Sequence, residues 1–175
     1  MLEPKQLEKA FKKVEDENWM FRSFLKGEDS DHLDSRVHDL HRELFKHMDC
    51  ISCANCCKRI VPAFTQKDIN RIAKHLNMTG ADFKVKYIKE KQGVLVIKTK
   101  PCPFLTGQGC SIYAVRPECC RGFPYTDKKE MVFRLINLVE NCRVCPVVFE
   151  IFERLKGIYR TEFEEYKKEM AFYWK

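Results

Sequence analysis

The sequence predicts a mainly α-helical protein with a small β component, in which irregular cysteine-rich loops are flanked by amphipathic helices at the N- and C-terminal ends. Apolar residues recur at helical spacing near both ends of the chain, whereas the middle holds one short β-branched run. Residues 101–124 are rich in proline, glycine and cysteine, a composition typical of loops. No repeat or flexible linker divides the chain.

The N-terminal segment, residues 1–49, is predicted to contain two helices. The first covers residues 5–25 and ends before Gly27, because its apolar residues share one helical face. The second carries a stripe whose members are four, three, four and four residues apart: Leu33, Val37, Leu40, Leu44 and Met48. This second helix leads directly to the first cysteine, Cys50.

The central segment, residues 50–146, is predicted to mix short helices with a strand. Thr65 and Asp68 have the spacing of a capping box and introduce a helix, and Thr79 and Asp82 open another. The run VLVIK, residues 94–98, is the clearest strand candidate, and residues 131–139 are a weaker one.

The C-terminal segment, residues 147–175, is predicted to be one helix that packs on the same domain. Its apolar positions are strongly aromatic: Val148, Phe152, Leu155, Tyr159, Phe163, Tyr166 and Met170. Such a stripe is typical of a hydrophobic core or of the seam with a partner helix, so we expect a protein partner to be able to bind here.

Ten cysteines are far more than a chain of 175 residues needs, because this length already allows a substantial hydrophobic core. The N-terminus is charged throughout, and no apolar run approaches the roughly 20 residues that cross a bilayer. We therefore expect a cytoplasmic protein without a membrane segment, in which the thiols stay reduced. In that environment, metal ligation is favoured over disulfides.

The cysteine spacing predicts a metal centre around which the loops wrap. Cys50, Cys53 and Cys56 repeat the C-x2-C spacing that zinc sites and iron–sulfur clusters both use. The adjacent Cys57 replaces the fourth position of the ferredoxin pattern, so any cluster needs a remote ligand. The doubled spacing favours a 4Fe-4S cluster over Zn²⁺, although one cluster with spare cysteines and two zinc ions both remain open.

The formal net charge of +7 points only weakly to nucleic acid, because metal-binding thiolates are negative. Two zinc ions on eight thiolates would leave about +3. Nucleic acid is therefore disfavoured as a partner. The cations next to the cysteines suit an anionic centre instead: Lys58, Arg59, Arg116, Arg121 and Arg143.

Five motifs follow one another along the chain: C-x2-C-x2-CC at residues 50–57, CPFL at 102–105, GCSIYAVRP at 109–117, CR-x-FP at 120–124 and Cys-Pro at 145–146. Taken in this order, they resemble the CxxCxxCC or YkgJ-like family, a zinc- or iron-chelating domain. The resemblance implies a ligand set of Cys50, Cys53, Cys56, Cys57, Cys102, Cys110, Cys120 and one of Cys142 and Cys145, with Cys145 preferred. Cys119 falls at a variable position, which implies a bystander. Relatives often have glycine where this chain has Ala54.

The resemblance leaves enzymatic activity open. Larger relatives resemble the flagellin lysine N-methylase, in which a cysteine-ligated iron–sulfur cluster accompanies S-adenosylmethionine, so methyl transfer to protein lysine is one alternative. This chain is short for that enzyme, and its sequence contains no recognisable S-adenosylmethionine loop. A zinc-ribbon-like module that binds nucleic acid or protein is a further alternative.

Overall fold

The computed structural model describes residues 1–173, and the chain forms two compact units. The helical unit consists of residues 1–48 together with the chain from Pro124 onward, and the cysteine unit consists of residues 49–123. Within residues 1–173, no helix combines the length and the apolar character needed to cross a membrane.

Helices account for most of the secondary structure. In chain order they are α1 (Leu7–Leu25), α2 (Ser30–Phe45), α3 (Cys50–Cys53), α4 (Asn55–Arg59), α5 (Gln66–His75), α6 (Gly80–Tyr87), α7 (Glu118–Gly122), α8 (Leu135–Cys142), α9 (Pro146–Ile158) and α10 (Arg160–Tyr173). The strands are β1 (Ile88–Lys91), β2 (Val94–Ile97), β3 (Leu105–Thr106) and β4 (Gly109–Cys110), and two 3₁₀ turns cover Tyr113–Val115 and Met131–Arg134. The predicted class, mainly α with a small β component, is confirmed.

The helical unit buries Leu7, Phe11 and Phe21 of α1 and most of the stripe that the sequence predicted for α2. Leu33, Val37, Leu40 and Leu44 are all buried along α2, and Met48 lies beyond the end of that helix. Asp29 begins α2 as its N-cap, and its carboxylate accepts a hydrogen bond of 2.8 Å from the backbone N–H of His32. This contact satisfies one of the amides that a helix start leaves without a partner.

Aromatic packing joins α1 to the C-terminal helices. The ring centroid of Phe21 lies 5.4 Å from that of Phe152 and 4.8 Å from that of Phe163, and both pairs are packed edge to face. Phe24 contacts the ring of Tyr166 at 5.7 Å. Much of the aromatic stripe near the C-terminus is therefore core of the helical unit.

Two details of the predicted C-terminal half are wrong. The single C-terminal helix is two, α9 and α10, because the backbone leaves helical geometry at Tyr159 shortly after Gly157, a poor helix former. The weak strand candidate at residues 131–139 is a 3₁₀ turn followed by α8. Its buried positions, Leu135, Leu138, Val139 and Cys142, are three, one and three residues apart, which is helical spacing. Residues 174 and 175 of the predicted helix lie outside the described residues.

The cysteine unit is built around a small core between α5, α6 and the β1–β2 hairpin. The predicted strand is β2, and it pairs antiparallel with β1 in a register that places Ile88 opposite Ile97. On its other side, β2 is bonded by the segment at residues 62–64, since the backbone N–H of Phe64 donates to the carbonyl of Leu95. The core residues are Phe64, Ile69, Ile72, Ala73, Phe83, Ile88, Ile97, Phe104 and Ile112.

Candidate metal centre

The first cysteine segment consists of two short helices, α3 and α4. The carboxylate of Asp49 accepts the backbone N–H of Ile51 at 2.9 Å and so starts α3, which carries Cys50 and Cys53. Ala54 then adopts a left-handed conformation, with φ of 46°, before α4 presents Cys56 and Cys57. Ala54 therefore occupies the strained backbone position for which glycine is better suited.

Cys102 and Cys110 are held by the same local arrangement. Two residues after each cysteine, a buried anchor, Phe104 or Ile112, packs in the core of the unit. Burial raises the pKa of both thiols, and the backbone N–H of the anchor hydrogen-bonds to the sulfur and opposes that rise. Amide donors of this kind stabilise the thiolate form that metals bind.

Backbone contacts bring the first two cysteine segments together. The N–H of Cys102 donates to the carbonyl of Cys57 at 3.0 Å. Gly109, in β4, lies so close to α3 that a Cβ at this position would be 2.5 Å from Cγ2 of Ile51. The hairpin β3–β4 therefore rests on the helical turn that carries Cys50 and Cys53.

Asp68 attaches the third cysteine segment. Its buried carboxylate pairs with the guanidinium of Arg71 at 2.6 Å and also accepts the backbone N–H of Glu118, the first residue of α7. The predicted capping box is confirmed, because the same carboxylate accepts the N–H of Thr65 at 3.0 Å. One side chain thus joins the start of α5 to the helix that carries Cys119 and Cys120.

The Asp68→Asn variant is expected to lose about 2 kcal/mol of unfolding free energy at pH 7, because the charge-assisted hydrogen bonds are weakened. Burial raises the pKa of Asp68, but the bonds from Thr65, Arg71 and Glu118 outweigh this, and the pKa is lowered. The stabilisation is therefore present at pH values above the pKa of Asp68 in the unfolded chain, which is near 4. It disappears as the pH falls through the lower pKa of Asp68 in the folded protein.

Urea denaturation at pH 7 and below pH 4 tests this expectation. Asp82→Asn is the matched control, because Asp82 follows Thr79 at the same spacing but is exposed. Equal losses for the two variants at pH 7, or a wild-type advantage over Asp68→Asn that does not shrink in acid, would contradict the role given to Asp68.

The charge of Cys57 influences the pKa of thiols in the other two cysteine segments. A hydrogen bond from Cys56 lowers the pKa of Cys57 to about 7, and the charge of Lys58 contributes to this. The charge of Cys57 in turn raises the pKa of the thiols of Cys102, Cys110 and Cys120. The sulfur of Cys120 lies 4.0 Å from that of Cys119, and hydrogen bonding with Cys119 and burial raise its pKa well above the usual value.

The expected cations are divided between the two units. Arg116 opposes the rise that burial causes in the pKa of Cys50 and Cys110. Arg121 hydrogen-bonds to the carbonyls of Ala114 and Arg116, which braces the segment before α7. Arg143 lies in the helical unit, where it pairs with Glu140 at 3.1 Å and with Glu15.

Seven of the eight predicted ligands lie in the cysteine unit: Cys50, Cys53, Cys56, Cys57, Cys102, Cys110 and Cys120. Cys145 is the N-cap of α9 in the helical unit, near the fully buried Cys142. Cys119, which the resemblance made a bystander, is an eighth thiol of the cysteine unit. Within residues 1–173, no three His, Cys, Asp or Glu side chains already have the geometry of a metal site.

The fold and the site define a small, mainly helical protein that has a compact, thiol-rich unit. A family model described as "CxxCxxCC: Putative zinc- or iron-chelating domain" matches residues 49–146, and the chain belongs to this family. The comparisons with curated proteins and with solved structures gave no match.

Proposed function

We propose that the cysteine unit binds iron or zinc through thiolates and that Cys57 lies at the centre of the ligand set. The observation that carries this proposal is the contact between two cysteine segments, in which the backbone N–H of Cys102 donates to the carbonyl of Cys57 at 3.0 Å. The charge of Cys57 also raises the pKa of the thiols of Cys102, Cys110 and Cys120. The further proposed ligands on the same two helical turns are Cys50, Cys53 and Cys56.

The donor set of the cysteine unit fits such a metal. Thiolates are the ligands of structural zinc and of iron–sulfur clusters, and backbone N–H groups directed at Cys102 and Cys110 are the donors that support them. When bound, zinc would cross-link the three segments, whereas a 4Fe-4S cluster would add the capacity to exchange an electron. Because ligand convergence and loop order are coupled, binding also stabilises the unit.

Anaerobic purification followed by analysis of iron, zinc and acid-labile sulfide per chain tests the proposal. We expect either iron with sulfide and a visible absorption band, or colourless protein with zinc. The doubled C-x2-C spacing makes the cluster the expected form. Removal of the metal with a chelator should lower the thermal midpoint, because the metal holds the segments together. Metal-free protein with the same thermal midpoint before and after chelation would contradict the proposal.

A further inference from the structure

The net positive charge of the chain comes from one unit. The cysteine unit has thirteen Lys and Arg residues and five Asp and Glu residues, a net charge of +8. The helical unit has nineteen Lys and Arg residues and twenty Asp and Glu residues, a net charge of −1. Nucleic acid is disfavoured when the charge is averaged over the whole chain, but two zinc ions on the eight thiols of the cysteine unit would still leave about +4 there.

Much of this charge lies on α6 and the β1–β2 hairpin. Residues 84–100 contain one carboxylate, Glu90, and six lysines: Lys84, Lys86, Lys89, Lys91, Lys98 and Lys100. All of the lysines except Lys84 are exposed. These six lysines are called the lysine face below.

The strand register separates the lysines of β1 from the carboxylate. Side chains alternate between the two faces of a strand, so Glu90 shares the face of Ile88 while Lys89 and Lys91 share the opposite one. Their cross-strand partners are Val96 and Val94. Lys89 and Lys91 are themselves exposed and lie about 6.6 Å apart on this face, without an intervening acid.

Protection of a sheet edge does not account for the whole surface. Lysines are common on exposed edge strands, where they prevent pairing with other chains, and β1 has such an edge. However, Lys98 and Lys100 follow β2, which is bonded on both sides, and Lys86 belongs to α6. The positive charge thus continues beyond the edge that would need protection.

We propose that the lysine face binds the phosphate backbone of double-stranded nucleic acid. A two-stranded β ribbon fits the major groove of B-DNA, and alternate lysines match a chain that carries one phosphate per roughly 3.4 Å of helix axis in each strand. Protein interfaces are depleted of lysine and enriched in arginine, whereas residues 84–100 contain no arginine. The composition therefore favours phosphate over an acidic protein surface.

Fluorescence anisotropy with a labelled DNA duplex of about 20 base pairs, from roughly 50 to 300 mM NaCl, tests the proposal on the full chain. We expect Lys89→Gln/Lys91→Gln to weaken binding about tenfold or more at about 100 mM salt and to reduce the slope of log K against log salt by about 2. Lys12→Gln/Lys13→Gln is the matched control, because it removes the same charge from exposed positions of α1. This control should bind like wild type.

Several outcomes would overturn the proposal: no salt-dependent binding, equal weakening by the two variants, or equal affinity for polyglutamate at the same charge concentration. A parallel arm with an RNA duplex of the same length identifies which duplex supplies the phosphates. Metal content is measured in the same samples, so failure here is distinguishable from failure of the proposed metal centre.

Discussion

The Cys57→Ser variant is expected to lose its bound metal and, with it, roughly 3 kcal/mol or more of unfolding free energy, because metal binding and segment order are coupled. Cys57 is the most informative position, since its charge raises the pKa of the thiols of Cys102, Cys110 and Cys120. A serine hydroxyl is a far poorer ligand than a thiolate for zinc or for an iron–sulfur cluster. Metal per chain and urea unfolding, both measured without oxygen, give the two results.

Cys142→Ser provides the matched control in the helical unit. The thiol of Cys142 donates to the carbonyl of Leu138 at 3.3 Å, and a serine hydroxyl can donate in the same way. We therefore expect this variant to keep its full metal content. The ligand assignment would be wrong if Cys142→Ser lost as much metal as Cys57→Ser, or if Cys57→Ser retained the wild-type amount.

The Gly109→Ala variant is expected to lose about 2–4 kcal/mol of stability and to bind less metal, because two features of the site exclude a side chain. The added Cβ would lie 2.5 Å from Cγ2 of Ile51, and Gly109 has φ of +102°, a conformation that alanine rarely adopts. Both effects would push the β3–β4 hairpin away from α3. Because Cys110 follows directly, its sulfur would move away from the thiols of the first segment.

Gly107→Ala separates this contact from a general effect of glycine replacement in the hairpin. No atom would lie within 4 Å of a Cβ at Gly107, and its φ lies outside the left-handed range. Replacement of such a glycine is neutral or stabilises by up to about 1 kcal/mol. Equal thermal midpoints for the two variants would show that close packing between Gly109 and Ile51 does not position the hairpin.

Local patterns were sufficient to predict most of the fold. The capping box at Thr65 and Asp68 and the strand at residues 94–98 are recognisable because each signal lies within a few residues. The weak strand candidate at residues 131–139 failed because short apolar runs are ambiguous between strand and helix, and packing of the buried face of α8 decided between them. The break at Tyr159 was missed because apolar spacing continues across it.

The candidate site was predictable in its chemistry but not in its assembly. Cysteine number and C-x2-C spacing are enough to indicate a thiolate site, because they depend only on residue type and position along the chain. That spacing could not show that the sulfurs of Cys119 and Cys120 are 4.0 Å apart, or that Cys145 lies in a different unit from Cys57. The sequence indicated that Asp68 takes part in a helix cap. It could not indicate the hydrogen bond that Asp68 accepts from Glu118, because the two residues are 50 positions apart.

The sequence by itself determined the helical class, the helix starts and the supply of thiols, because these depend on side-chain periodicity and on residue type. Only the tertiary structure decided which cysteine segments touch one another and which unit carries the net positive charge. Both depend on long-range contacts, such as the bond from Cys102 to Cys57 and the packing of Gly109 on Ile51. Such contacts form when separate segments bury a common core, and no spacing along the chain encodes them.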